Sequence, residues 1–592
     1  MGGARRSRAA PQAHSGPRFG EKAPSPPAAH EQAGAGLTVR ATMPLGDFLV
    51  AYLRKIGVTH LFGIPGDLVI RLFFRFGKRH GLKIVTLSHE PGVGFAADGY
   101  ARATGRIGVV CVTYGAGGHN MVNPVAGSFS ERVPVLVISG GPGEEERKLG
   151  ALIHHQAKEI ESQLRIYQEL TCTARVLDDP ASAARTIDEV VRTVWREQRP
   201  GYLEIHRDMV ERRIPVPREI IAWDGTLHFG RSDERKVAEA VRETAARFNA
   251  ARRPFTLVGI ETFRFKLQRE VRVLAERMGA PVATTVLSKG AFPMDHPLYA
   301  GVYMGPISPA PIARRVERAD LVLSLGNLLT DMDLGSRPPQ IPRARSIWAV
   351  DGKVNASFHT YTDVHIRDFV RGLLRTRLRR HREQVHYCDN LPPAEPLTDR
   401  RLRVTDVLHE VNRFLRGRRG YLVIAESGDM LFAGLDVRVE RGGGYLAQGY
   451  YASMGFGVPG ALGAQLGTGA RPLVLSGDGA FQMTGPEIAQ APRYGLSPIV
   501  LVLNNGGWQI FRPVVARTEL LDVPPWPYAR LAEEWGGRGF RVTRIDELRA
   551  ALAEAARLRS FVLIEALIRP DDLSPVSRKY IAASARRGRA AA

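Results

Sequence analysis

The chain has 592 residues, 44% of them hydrophobic, and a formal net charge of +22, a length that accommodates about three or four domains with ample core. No run of roughly twenty apolar residues offers a membrane span, and Cys111, Cys172 and Cys388 are scattered thiols without metal-ligand spacing, so a cytoplasmic setting is expected. The charge is mostly Arg spread along the chain, with basic ends at 5–8 and 578–589, and no base-reading module accompanies it, so no specific nucleic acid partner is expected.

Residues 1–42 are rich in Ala, Pro, Gly and Arg with little apolar patterning and are expected to form a disordered basic tail. Such a tail reads as a mis-assigned start, a flexible appendage or a transit-like segment. The turn Gly63-Ile64-Pro65-Gly66-Asp67 then offers a carboxylate, although a Gly-Asp turn alone is bland. An apolar strand at 82–90 ends in Ser88-His89-Glu90, and Pro91, suited to a first helical turn, opens a helix of small residues. A lone Glu there ordinarily contributes a few tenths to about 1 kcal/mol through the helix dipole. The next strand ends at Thr113-Tyr114-Gly115, and another, from Val133, exits into Gly140-Gly141-Pro142. His154 and His155 follow as adjacent histidines, which in most proteins are unrelated loop residues.

Pro- and Arg-rich stretches at 212–217 and 375–396 read as linkers, dividing the chain into units at 43–215, 230–378 and 400–592. The middle unit alternates strand and helix, as at 254–260, without a Gly-x-Gly-x-x-Gly fingerprint, so no second nucleotide is assigned. In the last unit a strand at 421–426 leads into Ser427-Gly428-Asp429. Further on, Leu473-Val474-Leu475 runs into Gly477-Asp478-Gly479-Ala480, and 498–503 runs into Asn504-Asn505-Gly506-Gly507. The intervening 486–494 is long enough for a crossover helix, which implies parallel pairing. Asp478 and Asn505 then meet at the carboxyl ends of neighbouring strands, where open α/β sheets bind ligands. A carboxylate and an amide oxygen suit a hard cation such as Mg²⁺, completed by phosphate and water, and Gly477 and Gly479 let backbone N–H groups approach phosphate oxygens.

In combination, Ser88-His89-Glu90-Pro91, Val112-Thr113-Tyr114-Gly115-Ala116-Gly117, the His154-His155-Gln156 segment, Gly477-Asp478-Gly479-Ala480-Phe481 and Asn504-Asn505 resemble the thiamine diphosphate-dependent 2-keto-acid decarboxylases. Within that family they resemble bacterial phenylpyruvate and indolepyruvate decarboxylases, from Met43 to the end of the chain. The resemblance implies an α/β fold of three doubly wound parallel-sheet domains behind the disordered tail. It implies thiamine diphosphate and Mg²⁺ as cofactors, a small-molecule 2-keto acid as substrate, and a homodimer or homotetramer with active sites between subunits. By the same resemblance, Asp478, Asn505 and the Gly507 carbonyl ligate Mg²⁺, while Thr113, Ser427, Gly428, Asp429, Gly479 and Ala480 line the cofactor. The Ala452 carbonyl accepts from its 4′-amino group and Met454 props it into a bent form. Glu90 hydrogen-bonds N1′ of the aminopyrimidine, where burial and a raised pKa would be functional. Asp67, His154 and His155 join Glu90 as catalytic residues that position the keto acid and move protons.

The implied reaction is non-oxidative decarboxylation of a 2-keto acid, an arylpyruvate such as phenylpyruvate or indolepyruvate, to the aldehyde through an enamine on the cofactor. One departure bears on it. Pyruvate decarboxylases carry a Glu shortly after the Asn pair, where this chain has Phe511. An apolar residue there fits a larger pocket walled by Trp508 and Phe511, two residues that read equally as ordinary core aromatics. It also leaves an alternative, a carboligase of the acetolactate synthase type, in which an added acceptor intercepts the carbanion.

Overall fold

The computed structural model describes residues 39–77, 82–335, 341–396, 400–439 and 444–591. The expected tail lies outside these residues up to position 38, but from Val39 the chain is packed: Val39 is buried and Thr42–Pro44 is a strand. That strand pairs antiparallel with Arg213–Pro215. The stretch at 212–217 is therefore partly a strand rather than a plain linker, because Met43 and Ile214 both bury their side chains in this pairing.

Short apolar runs dominate the rest. Gly108–Val112 and Val135–Gly141 are buried along their whole length, too short for core helices and suited to strands covered on both faces. Each such Val, Leu or Ile contributes about 1.5–3 kcal/mol by leaving water. The N-terminal sheet has six parallel strands in the order Lys83–Val85, His60–Gly63, Gly108–Val112, Val135–Gly141, Gly201–His206, Thr173–Leu177. The C-terminal sheet, also six parallel strands, runs Tyr445–Ala447, Tyr421–Ala425, Arg471–Gly477, Ile499–Asn504, Val562–Leu567, Arg538–Val542. Numbered by its own chain order, each sheet reads second, first, third, fourth, sixth, fifth. The order reverses between the first and third strands, and a crevice opens at their carboxyl ends.

The central sheet has seven strands, of which Tyr299–Val302, Val282–Thr284, Pro254–Val258, Leu321–Leu325 and Ser346–Val350 are parallel. It departs from an all-parallel expectation at one edge, where Lys353–Ala356 and His359–Thr362 turn back antiparallel. The first reversal is a two-residue Asp351-Gly352 turn with φ of 54° and 67°, the Asp-Gly chemistry that tight hairpins require.

Helix Glu90–Thr104 packs against helix Gly457–Thr468, joining the two six-stranded units. Close approach is possible because a methyl group on Gly463 would collide with the Ala96 carbonyl. Around the crossing, Val93, Phe95, Ala96 and Tyr100 share one core with Phe456, Val458, Ala461 and Leu462. Inside it Arg102 is bound to Asp98 and to Glu131, the latter at 2.6 Å, and all three are essentially without solvent exposure.

Candidate active site

Asp67 follows the first strand of the N-terminal sheet and Thr113 the third, so the reversal of strand order brings them together: Thr113 Oγ1 donates to Asp67 Oδ1 at 3.3 Å. His154 Nε2 is hydrogen-bonded to Asp67 Oδ2, and His155 Nε2 lies 3.7 Å from Asp67 Oδ1. The two imidazole centroids are 4.9 Å apart. Burial acts to raise the Asp67 carboxyl pKa, but the bond and charge of His154, the Leu68 N–H and the charge of His155 outweigh it and hold the group below the usual carboxylate range. His155 sits in the left-handed region at φ 67°, a costly conformation for a residue with a Cβ.

Glu90 is the first residue of its helix, with Pro91 in the first turn as expected. Its strand ends earlier than expected, at Val85. Glu90 Oε2 accepts from Asn120 Nδ2 at 3.0 Å and lies 3.8 Å from His89 Nε2. A methyl group on Gly117 would sit 3.1 Å from Thr113 Cγ2 and 3.4 Å from Glu90 Oε1, so Gly117 is the floor that the Asp67 cluster and Glu90 share. Glu90, Thr113, Asp67, His154 and His155 thus form one constellation.

The second constellation lies beside the corresponding reversal in the C-terminal sheet, at the ends of its third and fourth strands. Asp478 is 1% exposed; Oδ1 accepts from Gly479 N–H and Oδ2 from Gly506 N–H, each at 2.8 Å. Burial pushes its pKa up to about 6 against those backbone donors. Asn505 Oδ1 is buried and has no hydrogen-bond partner among the described residues, an expensive condition for an amide oxygen unless a ligand completes it. Gly507, at φ 143°, turns where a side chain would strike the Leu521 carbonyl. Its own carbonyl accepts from Gln509 N–H at 2.8 Å and keeps a second lone pair. Three oxygens of this kind fit a hard cation.

Open space adjoins them. Among the described residues, side chains placed at Gly428, Gly477 or Gly506 would meet nothing within 4 Å, and these positions lie at or just after the ends of three neighbouring strands. Gly479 and Ala480 stand in the first turn of helix Asp478–Thr484. Gly479 has a further reason to be glycine, since a methyl group there would strike the Trp508 indole. The crossover differs from the expected helix at 486–494: the α-helical part is Asp478–Thr484, and Gly485–Gln490 and Pro492–Tyr494 are 3₁₀ turns, with prolines at 486 and 492 opening each turn. Ser427 Oγ donates to the Ser453 carbonyl at 3.1 Å. The Asp429 carboxylate accepts from Ser574 N–H and Oγ instead of facing the glycines, so what it can offer a diphosphate is its backbone. Ala452 has φ 54°, and Met454 is half-buried beside it.

Several positioning residues carry little or no signal in the sequence. Glu426, 2% exposed, accepts from Ser427 N–H at 2.8 Å and Gly457 N–H at 2.6 Å, and burial raises its pKa to about 7. It ties the Ser427-Gly428 turn to the helix after Met454. Glu131 Oε1 accepts from Tyr450 and Tyr451 N–H groups at 2.8 and 2.9 Å, which fixes the approach to Ala452. Glu487 accepts from Ser88 and His89 N–H groups at 2.8 and 3.2 Å and so anchors the start of the Glu90 helix. A Glu closing an apolar run was the one available signal for Glu426; Glu131 and Glu487 have none, because their partners are remote in sequence. Trp508 and Phe511 are surface residues of the chain, 38% and 54% exposed, and not core aromatics.

Sequence profiles agree with this architecture. "Thiamine pyrophosphate enzyme, N-terminal TPP binding domain" matches residues 43–166, the central domain 241–375 and the C-terminal TPP binding domain 427–566. The chain is 37% identical over 548 residues to an indole-3-pyruvate decarboxylase of Azospirillum brasilense, covering 91% of this chain and 98% of that protein. It is 29% identical to an alpha-keto-acid decarboxylase of Mycobacterium avium, covering 90% and 95%, and 30% identical to pyruvate decarboxylase 1 of Oryza sativa subsp. indica, covering 91% of each. With its two matched thiamine-binding units and full-length likeness to these enzymes, the chain belongs to the thiamine diphosphate-dependent 2-keto-acid decarboxylase family.

Proposed function

We propose that this protein converts an arylpyruvate, phenylpyruvate or indolepyruvate, to the corresponding aldehyde and CO₂. The observation that carries the reading is the Asp67, His154 and His155 cluster joined to Glu90 across Thr113 and Gly117, which groups titratable residues where a keto acid needs them. The named activity of the Azospirillum relative supports the aryl substrate. When bound, thiamine diphosphate supplies the sink for the electron pair left by departing CO₂. The chain supplies position and protons: Glu90 holds the aminopyrimidine, His154 and His155 orient the substrate carboxylate, and Asp67 exchanges a proton with the product. Asp478, Asn505 and the Gly507 carbonyl hold Mg²⁺, with Ser427, Gly428, Gly479 and Ala480 along the diphosphate and Ala452 and Met454 against the rings.

The active assembly is a homodimer or homotetramer with sites shared between subunits. One observation supports this. Met483, Trp508, Phe511, Val514 and Leu520 are all exposed in the single chain, an apolar surface that a partner's substrate side would cover. The units span 43–215, 230–378 and 400–592, each enclosing one of the larger sheets. No described helix is long and apolar enough to cross a membrane, and the unpaired cysteines suit a reducing cytoplasm. Steady-state rates of aldehyde formation test the substrate class: kcat/KM for indolepyruvate or phenylpyruvate should exceed that for pyruvate, and a preference for pyruvate would reject the aryl reading.

A further inference from the structure

An open cavity of about 690 Å³ lies between the N-terminal and central units, away from both constellations. One wall is a stack of alternating character. Lys266 Nζ lies 4.8 Å from the Trp195 ring centre, Trp195 stacks on Phe229 with centroids 5.0 Å apart and planes 19° apart, and Arg367 Cζ lies 4.6 Å from the Phe229 ring centre. Cations over aromatic faces are held by the ring quadrupole, so one aromatic pair fixes two positive charges. Arg367 also donates to the Phe265 carbonyl at 2.8 Å. Lys266 keeps a left-handed backbone at φ 57°, a local cost.

Arg371 and Arg231 line the same cavity, where the four cations Arg231, Lys266, Arg367 and Arg371 meet two carboxylates: Asp368, which also lines it, and Glu270, both of which act on Arg367. Asp368 accepts from Ser232 N–H and Oγ, and Glu270 stands 3.7 Å from Arg371. Among the described residues no ion pair joins Lys266 or Arg367 to a carboxylate. The charges acting on Lys266 are those of Arg106 and Arg367, both of its own sign. Cations gathered at a cavity with few counter-charges are stabilised when an anion enters.

We propose that this cavity binds a phosphate chain, carried either by inorganic polyphosphate or by a nucleotide, with Lys266, Arg367, Arg371 and Arg231 as its contacts. Phosphate is preferred to an aromatic acid because cations already cap the outer ring faces, leaving charge rather than stacking as the means of recognition. The guanidinium fork matches phosphate geometry, and a cavity of this size holds more than a single phosphate group.

The test is calorimetric titration of the enzyme, presaturated with thiamine diphosphate and excess Mg²⁺, with inorganic tripolyphosphate and, separately, ATP. The expected result is one site per chain, with affinity reduced about tenfold or more in Lys266→Ala and in Arg371→Ala. It should be unchanged in Arg235→Ala, which removes a highly exposed cation elsewhere. Equal affinity for both probes assigns the phosphate chain alone as ligand, and tighter ATP binding adds the nucleoside. Absence of heat with either probe, or affinities that Lys266→Ala and Arg371→Ala leave unchanged while both variants remain folded and active, overturns the proposal.

Discussion

Asp478 Oδ2 accepts a hydrogen bond from the Gly506 N–H at 2.8 Å, linking the ends of two neighbouring strands one residue from Asn505, whose buried Oδ1 has no partner among the described residues. Replacing Asp478 by Ala should therefore weaken Mg²⁺-dependent binding of thiamine diphosphate by at least about 10²-fold, measured by fluorescence quenching or calorimetry on the apoenzyme.

The same carboxylate predicts a pH dependence. Burial raises its pKa to about 6, above the unfolded value, so its contribution to apoprotein stability is present at low pH and is lost as pH rises through about 6. Metal binding needs the ionised form and reverses that loss. Mg²⁺ with cofactor should therefore raise Tm more at pH 7.5 than at pH 5, and Asp478→Asn should abolish the difference.

Glu90→Gln should lower kcat by roughly 10²–10⁴-fold while leaving cofactor affinity near that of the unsubstituted enzyme, since Glu90 stands apart from the diphosphate side. Equal turnover would remove Glu90 from the mechanism.

A shared site makes a prediction that neither variant makes alone. When inactive Glu90→Gln and Asp478→Ala chains are unfolded, mixed and refolded, mixed dimers should regain activity, because one of their two sites then has both residues intact. Failure to regain activity, with mixed dimers verified by mass, would place both residues in a site within one chain.

Arg102, Asp98 and Glu131 form a buried ionic cluster, and Glu131 also holds the Tyr450 and Tyr451 N–H groups. Glu131→Ala leaves Arg102 short of a partner and should cost about 3–5 kcal/mol in chemical denaturation, with weaker cofactor binding because the approach to Ala452 loosens.

Much of this arrangement was legible in the sequence where function depends on contiguous residues. Gly477-Asp478-Gly479 and Asn504-Asn505 each end an apolar run, and parallel pairing carries their ends together. Pro91 marks its helix start correctly. The hairpin at the edge of the central sheet is also written locally, in Asp351-Gly352, although the surrounding strand and helix alternation favours parallel strands. Other features lie beyond local reading. The crossover was expected to be one helix because length alone suggested it, whereas Pro486 and Pro492 favour tighter turns. Asp429 was expected to line the diphosphate, and nothing local announces that Ser574, distant in sequence, takes its carboxylate. Glu131 and Glu487 act only through remote backbone N–H groups, so no spacing announces them.

The most direct test of the central claim is mass spectrometric product analysis with purified protein, thiamine diphosphate and Mg²⁺, offering phenylpyruvate or indolepyruvate with and without an added aldehyde. The expected product is the aryl aldehyde without any acceptor, showing that Phe511 does not prevent protonation. Products formed only when the acceptor is present would contradict the decarboxylase reading and identify a carboligase.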